Sequence, residues 1–104
     1  MRSPSEIKSV IEGRLKKYLS RDRTGIRRAM LQLFLRIKSL TIAEIYDELK
    51  KRFSISYHSV AAMVGIIASR IGILHVTRNP EGTCSIYQIK DKYVDLVARM
   101  VRSA

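Results

Sequence analysis

The sequence predicts a mostly α chain with a small β-hairpin, an α+β fold in a single domain spanning 1–104. Three observations carry this. Apolar residues recur at helical spacing in successive segments as far as Gly72. The period then shortens, and "ILHVTR" and "CSIYQI" are rich in β-branched and aromatic residues. Between them "NPEGT" puts Asn79, Pro80 and Gly82 at the first, second and fourth positions of a type I turn. A chain of 104 residues, 46% apolar, has room for one domain and enough apolar side chains to fill its core.

The helices announce themselves through their starts. Ser3 is the expected N-cap of the first, with Pro4 at the first helical position and Glu6 closing a capping box. Ile7, Val10, Ile11, Leu15, Tyr18 and Leu19 share its inward face. Arg14 intrudes on that face and is expected to snorkel outward. After the break "SRDRTG", Thr24 is the expected cap of a second helix reaching about Lys38. Ile26, Met30, Leu33, Phe34 and Ile37 line one side, with Leu31 and Leu35 on the other, so this helix should be central. The third helix begins at "LTIAEI": Thr41 caps, Glu44 completes the box, and Leu40 and Ile45 are placed for a hydrophobic staple. After "FSIS", Ser54 or Ser56 caps a fourth helix that stops at Gly72. Asp91 opens a last helix, 91–103, whose Tyr93, Val94, Leu96, Val97, Met100 and Val101 form a broad apolar arc. That arc suits the chain's own core, a second copy in a homodimer, or both.

Charge bounds the partners. Twenty Lys+Arg against nine Asp+Glu leave a net +11. A balance this one-sided on a small chain points to a polyanion. The charge is concentrated early: residues 1–38 hold 11 cations and 3 anions, residues 39–104 hold 9 and 6. The single Cys84 cannot form an internal disulfide, Met1–Leu19 is too polar for a secretory signal, and no apolar run approaches a membrane span. A cytoplasmic protein without membrane attachment is therefore expected.

The order helix, helix, helix, turn, helix, hairpin places 24–89 in the layout of a winged helix-turn-helix. The residues that carry the resemblance are the support helix "TIAEIYDELKKRF", the short "SIS" turn, the "SVAAMV" entry to a reading helix, the "RIGIL" exit into a wing, and "YQI" closing it. With the basic helix at 1–22 and the helix at 91–103, the chain also resembles a family of short archaeal winged-helix proteins of no assigned function. That resemblance implies a cytoplasmic, regulatory protein and no particular ligand.

At 100° per residue, Val60, Val64, Ile67 and Ile71 fall on one narrow arc of the fourth helix, its core face. The opposite arc carries His58, Ser59, Ala62, Gly65, Ile66 and Ser69, neutral and mostly small. With Tyr57 at the start of the helix, the candidate base-reading set is Tyr57, His58, Ser59, Ala62, Ile66 and Ser69. Small residues permit close approach to a major groove, Ser and His can hydrogen-bond base edges, and Ala or Ile can pack on a thymine methyl. The same small residues also admit a partner helix. In "RLKKYLSRDRTGIRR", Arg14, Lys16, Lys17, Arg21, Arg23, Arg27 and Arg28 face only Asp22 in charge, and are the candidate phosphate contacts. The amide-bearing start of the helix at Thr41 is a further phosphate candidate. Arg78 and Asn79, with His75 nearby, are the candidate wing contacts, weakened by Glu81 at the same tip.

Catalysis and metal binding find no pattern. Cys84, His58 and His75 show no metal-ligand spacing, and His58 and Ser59 are helix neighbours that do not face each other. No glycine-rich phosphate loop follows a strand, and the five tyrosines are scattered, without an aromatic stacking platform. The expected protein is non-catalytic, without metal or cofactor, and binds double-stranded DNA as a transcriptional regulator or chromatin-associated factor. The alternatives are a protein-interaction module in a transcription or translation assembly, and an RNA binder.

Overall fold

In a computed structural model, residues 3–82 and 84–103 are described. Thr83, the last residue of the expected hairpin turn, lies outside them, as do the ends of the expected domain at 1–2 and 104. In chain order the elements are α1 (Pro4–Ser20), α2 (Ile26–Arg36), β1 (Ser39–Leu40), α3 (Ile42–Leu49), α4 (Tyr57–Ile66), β2 (Leu74–Arg78), β3 (Ser85–Ile89) and α5 (Val94–Ser103). A π-turn, Ile67–Ile71, prolongs α4, and a 3-10 turn, Asp91–Tyr93, leads into α5. The fold is α+β: among the described residues, five α-helices with a small antiparallel sheet.

Both expected capping boxes form. The Glu6 amide donates to Ser3 Oγ and the Ser3 amide to the Glu6 carboxylate. The Glu44 amide donates to Thr41 Oγ1 over 3.2 Å, and the Thr41 amide donates back to Glu44 Oε1 over 2.8 Å. Ser56, not Ser54, caps α4 through the Ser59 amide. The second helix departs from expectation. Its N-cap position is Gly25, left-handed at φ +86°, and Thr24 makes no cap. Asp22 reaches forward instead: Oδ1 accepts from the Gly25 and Arg27 amides, Oδ2 from the Arg28 amide. A carboxylate satisfies more of the orphan amides than a hydroxyl and complements the helix dipole as well.

At its other end α2 stops at Arg36 rather than Lys38. Ile37 is extended and more than a third exposed, so it does not line the helix as expected. The chain then forms β1, which pairs with β3 through Ser39↔Gln88 and Leu40↔Tyr87. The expected two-stranded hairpin is thus one part of a three-stranded sheet ordered β1-β3-β2. A two-residue strand has no period of its own; it exists because the free edge of β3 lies beside it. β2 and β3 run antiparallel from Leu74↔Ile89 to Arg78↔Ser85, and the Gly82 amide donates to the Asn79 carbonyl to close the turn. Cys84 is exposed and precedes β3 instead of belonging to it.

Packing centres on α2, which touches α1, α3, α5 and β3. Met30, Leu31, Phe34, Ile45, Val60, Val64, Ile67 and Val97 are among the fully buried side chains, and Ile71 is buried with them. The inward arc of α4 and the two-sided burial of α2 match the periodicity. Ile7 does not: it is exposed, one turn above the first buried residue of α1, Ile11. Of the tyrosines, Tyr18 and Tyr93 are buried, Tyr46 and Tyr87 half-buried, and Tyr57 is half exposed. Among the described residues no helix is long and apolar enough to cross a membrane.

Candidate nucleic-acid interface

The cations of "RLKKYLSRDRTGIRR" do not form one surface. Arg14, Lys17 and Arg21 recur at three and four residues, so they share a face of α1. They border a depression of about 300 Å³ together with Tyr18, Arg27 at the start of α2, Ile66 at the end of α4, and Arg70 and Ile71 of the π-turn. Five cations from three parts of the chain therefore surround one concavity, and among the described residues no carboxylate lines it. Lys16 points elsewhere, into a groove beside α5 with Leu19, Ser20 and Met100. Arg23 is exposed in the loop, and Arg28 is half-buried with a buried Nε that has no hydrogen-bond partner. Neither lines the depression.

Two of the five are held by the backbone. Arg14 Nη1 donates to the Ile71 carbonyl over 3.4 Å, placing a cation at the carbonyl end of the π-turn. Arg14 does reach outward, and its head ends on a particular acceptor. Arg27 Nη1 donates to the Tyr18 carbonyl over 3.0 Å, and its guanidinium lies 4.6 Å from the Tyr18 ring centre. The one acid of this segment is occupied by the three amides of α2, so it does not neutralise its arginine neighbours. The ion pairs among the described residues lie elsewhere: Lys50–Asp47, Lys51–Glu48 and Arg99–Glu12. Tyr18 floors the depression with its hydroxyl buried and unpartnered. Burial pushes that phenol up to about 12, with Arg27 pulling it down and Asp22 adding slightly to the rise.

Along α4 the outer arc is exposed as expected: Tyr57, His58, Ser59, Ala62, Gly65, Ile66 and Ser69. Two of its hydroxyls are already engaged. Ser59 Oγ accepts from Ser56 Oγ, and Ser69 Oγ donates to the Gly65 carbonyl over 2.7 Å. The π-turn closes with the Gly72 amide on the Ile67 carbonyl, five residues back. Arg70, within this turn, lies beside Ile66 at the depression. Gly72 then stops the helix at φ +83°.

At the other end of α4, Tyr57 stacks edge-on with Tyr46, ring centres 5.7 Å apart. It lines a cleft of about 290 Å³ with Thr41, Ile42, Cys84, Ser85 and Tyr87, so the start of the exposed helix borders the hairpin. The amide of Thr41 is already taken by the Glu44 carboxylate. Arg78 folds back on the hairpin, Nη1 donating to the Gly82 carbonyl over 3.1 Å. Asn79 is turned inward too: its Oδ1 accepts from the Cys84 amide and its Nδ2 donates to Cys84 Sγ. Among the described residues no three His, Cys, Asp or Glu side chains gather as a metal ligand set.

The residues that sequence reasoning left out are Arg70, Tyr18 and Asp22. Arg70 was within reach: it stands one helical turn beyond Ile66, on the same arc.

A family model described as protein of unknown function (DUF2551) matches residues 15–97. The chain belongs to the DUF2551 family. The match runs from Leu15 to Val97 and includes four of the five cations of the depression. An uncharacterized protein of Archaeoglobus fulgidus is 45% identical over 92 residues, 88% of this chain and 92% of its own length. No solved structure gives a significant match.

Proposed function

We propose that this DUF2551 member is a non-catalytic, cytoplasmic DNA-binding protein of winged helix-turn-helix design, a transcriptional regulator or chromatin-associated factor. In this reading α3 and α4 are the helix-turn-helix, α4 is the reader, and the β2–β3 hairpin is the wing. The observation that supports it is the shared depression: the α1 cations meet the end of the neutral outer face of α4 at Ile66 and Arg70. A strand whose phosphates are held at Arg14, Lys17, Arg21, Arg27 and Arg70 would run alongside the face carrying His58, Ser59 and Ala62. The charge gives affinity and register, and the small neutral residues meet base edges. Lys16 is assigned no part in this contact, because it opens onto the α5 groove.

Fluorescence anisotropy with duplex DNA tests the reading. Five neutralised phosphates give a slope of log affinity against log salt of about −4.5. Arg70→Gln should reduce it by about one. His58→Ala with Ser59→Ala should cost about 1–3 kcal/mol of sequence discrimination while the slope stays put. A slope near zero in the parent protein refutes DNA binding.

A second reading is supported by the exposure of Tyr57 and Ile66 on the same helix. Apolar side chains there suit a protein partner or a second copy of the chain. Under that reading Ile66→Glu abolishes the association and leaves DNA affinity unchanged. Preference for structured RNA over duplex DNA in the same titration would reassign the basic face to RNA.

A further inference from the structure

The cations that could meet a strand one by one also converge on a single concavity. Backbone phosphates are spread along a strand, each with a single charge. Here five cations converge on one concavity of about 300 Å³ from α1, the start of α2 and the π-turn. Arg14 and Arg27 are fixed in place by the Ile71 and Tyr18 carbonyls. Among the described residues Lys17, Arg21 and Arg70 have no carboxylate partner, and the nearest acid of the segment, Asp22, is committed to three backbone amides. Like charges gathered in this way repel one another, and only a ligand of opposite charge relieves that repulsion.

We propose that this depression is a binding site for the polyphosphate group of a small molecule, a compact anion carrying several negative charges. The anion would sit over Tyr18, with Arg14 and Arg27 as fixed donors and Lys17, Arg21 and Arg70 closing on it from the rim. Guanidinium groups suit this ligand because their paired N–H groups engage phosphate oxygens bidentately. Among the described residues the rest of the lining is Tyr18, Ile66 and Ile71, with no competing carboxylate. Because the same five cations border the end of α4, the anion and a DNA strand would exclude one another, making the small molecule a releasing effector. That competition rests on the DNA-binding reading above; the anion site does not.

Inorganic tripolyphosphate, free of divalent metal and held at constant ionic strength, is the probe. Calorimetric titration into the full chain should give saturable binding at one site, with a rise in Tm. Arg21→Gln with Arg70→Gln should weaken this binding at least about tenfold, since two charge-assisted contacts are lost. The same variant should keep or raise its Tm without ligand, because repulsion is reduced. Lys16→Gln removes the same kind of charge from the same helix but outside the depression, and should bind as the parent does. A response to tripolyphosphate no larger than that to sodium chloride of equal ionic strength overturns the proposal. So does equal weakening by Lys16→Gln, which would mean diffuse attraction without a site. Tripolyphosphate binding in a protein that ignores duplex DNA supports the anion site and defeats the DNA reading; DNA binding without tripolyphosphate binding does the reverse.

Discussion

Asp22→Ala should be among the most damaging surface substitutions in this chain. Asp22 accepts three backbone amides at 3.1–3.2 Å, from Gly25, Arg27 and Arg28. Those amides head α2, the helix on which the other layers pack. Losing a side-chain cap ordinarily costs about 0.5–2 kcal/mol. The charge at the positive end of the helix dipole adds about 0.3–1 kcal/mol. The site is partly buried and every amide lacks another partner, so a total of about 2–3 kcal/mol is expected. For a domain of this size that lowers Tm by about 10–20 °C. Urea denaturation followed by far-UV circular dichroism measures it directly. Asp22→Asn keeps one acceptor oxygen without the charge and should recover about half of the loss. A loss under about 0.5 kcal/mol for Asp22→Ala would refute the view that this carboxylate holds the start of α2.

Tyr18→Phe removes a buried hydroxyl that has no partner, and should be neutral or stabilising by up to about 1 kcal/mol. In the parent, the Tyr18 phenol sits at about 12, above its ordinary value near 10, so the folded state keeps its proton longer than the unfolded chain does. Its contribution is therefore complete below about pH 10 and lost as pH rises from about 10 toward 12. An ultraviolet pH titration should show one late phenolate that is absent from the variant, and denaturant titrations over the same range should show the parent losing up to about 3 kcal/mol. Gly72→Ala meets no atom nearer than 3.9 Å, so its cost is that of a Cβ at φ +83°, about 1–2 kcal/mol by urea denaturation.

What the sequence made legible was whatever is settled within a few residues. The boxes at Ser3–Glu6 and Thr41–Glu44 set donor and acceptor three positions apart, and both form. The core arc of α4 follows from spacing alone. β1 was illegible because its order is borrowed from β3, 47 positions downstream of Leu40 at Tyr87. The cap of α2 was misassigned to Thr24 because the true acceptor reaches forward across a loop whose path depends on Gly25 at positive φ. The basic run was legible as charge but not as geometry: Lys16 and Lys17 are adjacent in sequence and open onto different grooves. The π-turn packs against α1 and β2, contacts that leave no mark in the periodicity of "IASRI".

That π-turn has a consequence for how relatives of this chain can diverge. A π-turn holds one residue more than the α-turn it replaces. Deleting a residue between Ile67 and Ile71 would restore a regular turn, leave Tyr57 to Ile66 untouched, and change the angle of the arginine about the helix axis relative to Ile66. Insertion and deletion at this point thus re-aim a single charge at the edge of the exposed face, independently of the side chains upstream. Homologues with a shorter segment before the glycine should retain the outer face of α4 while carrying that charge at a different angle, so that the length of one helix tail, as much as its composition, sets the charge pattern beside the exposed face.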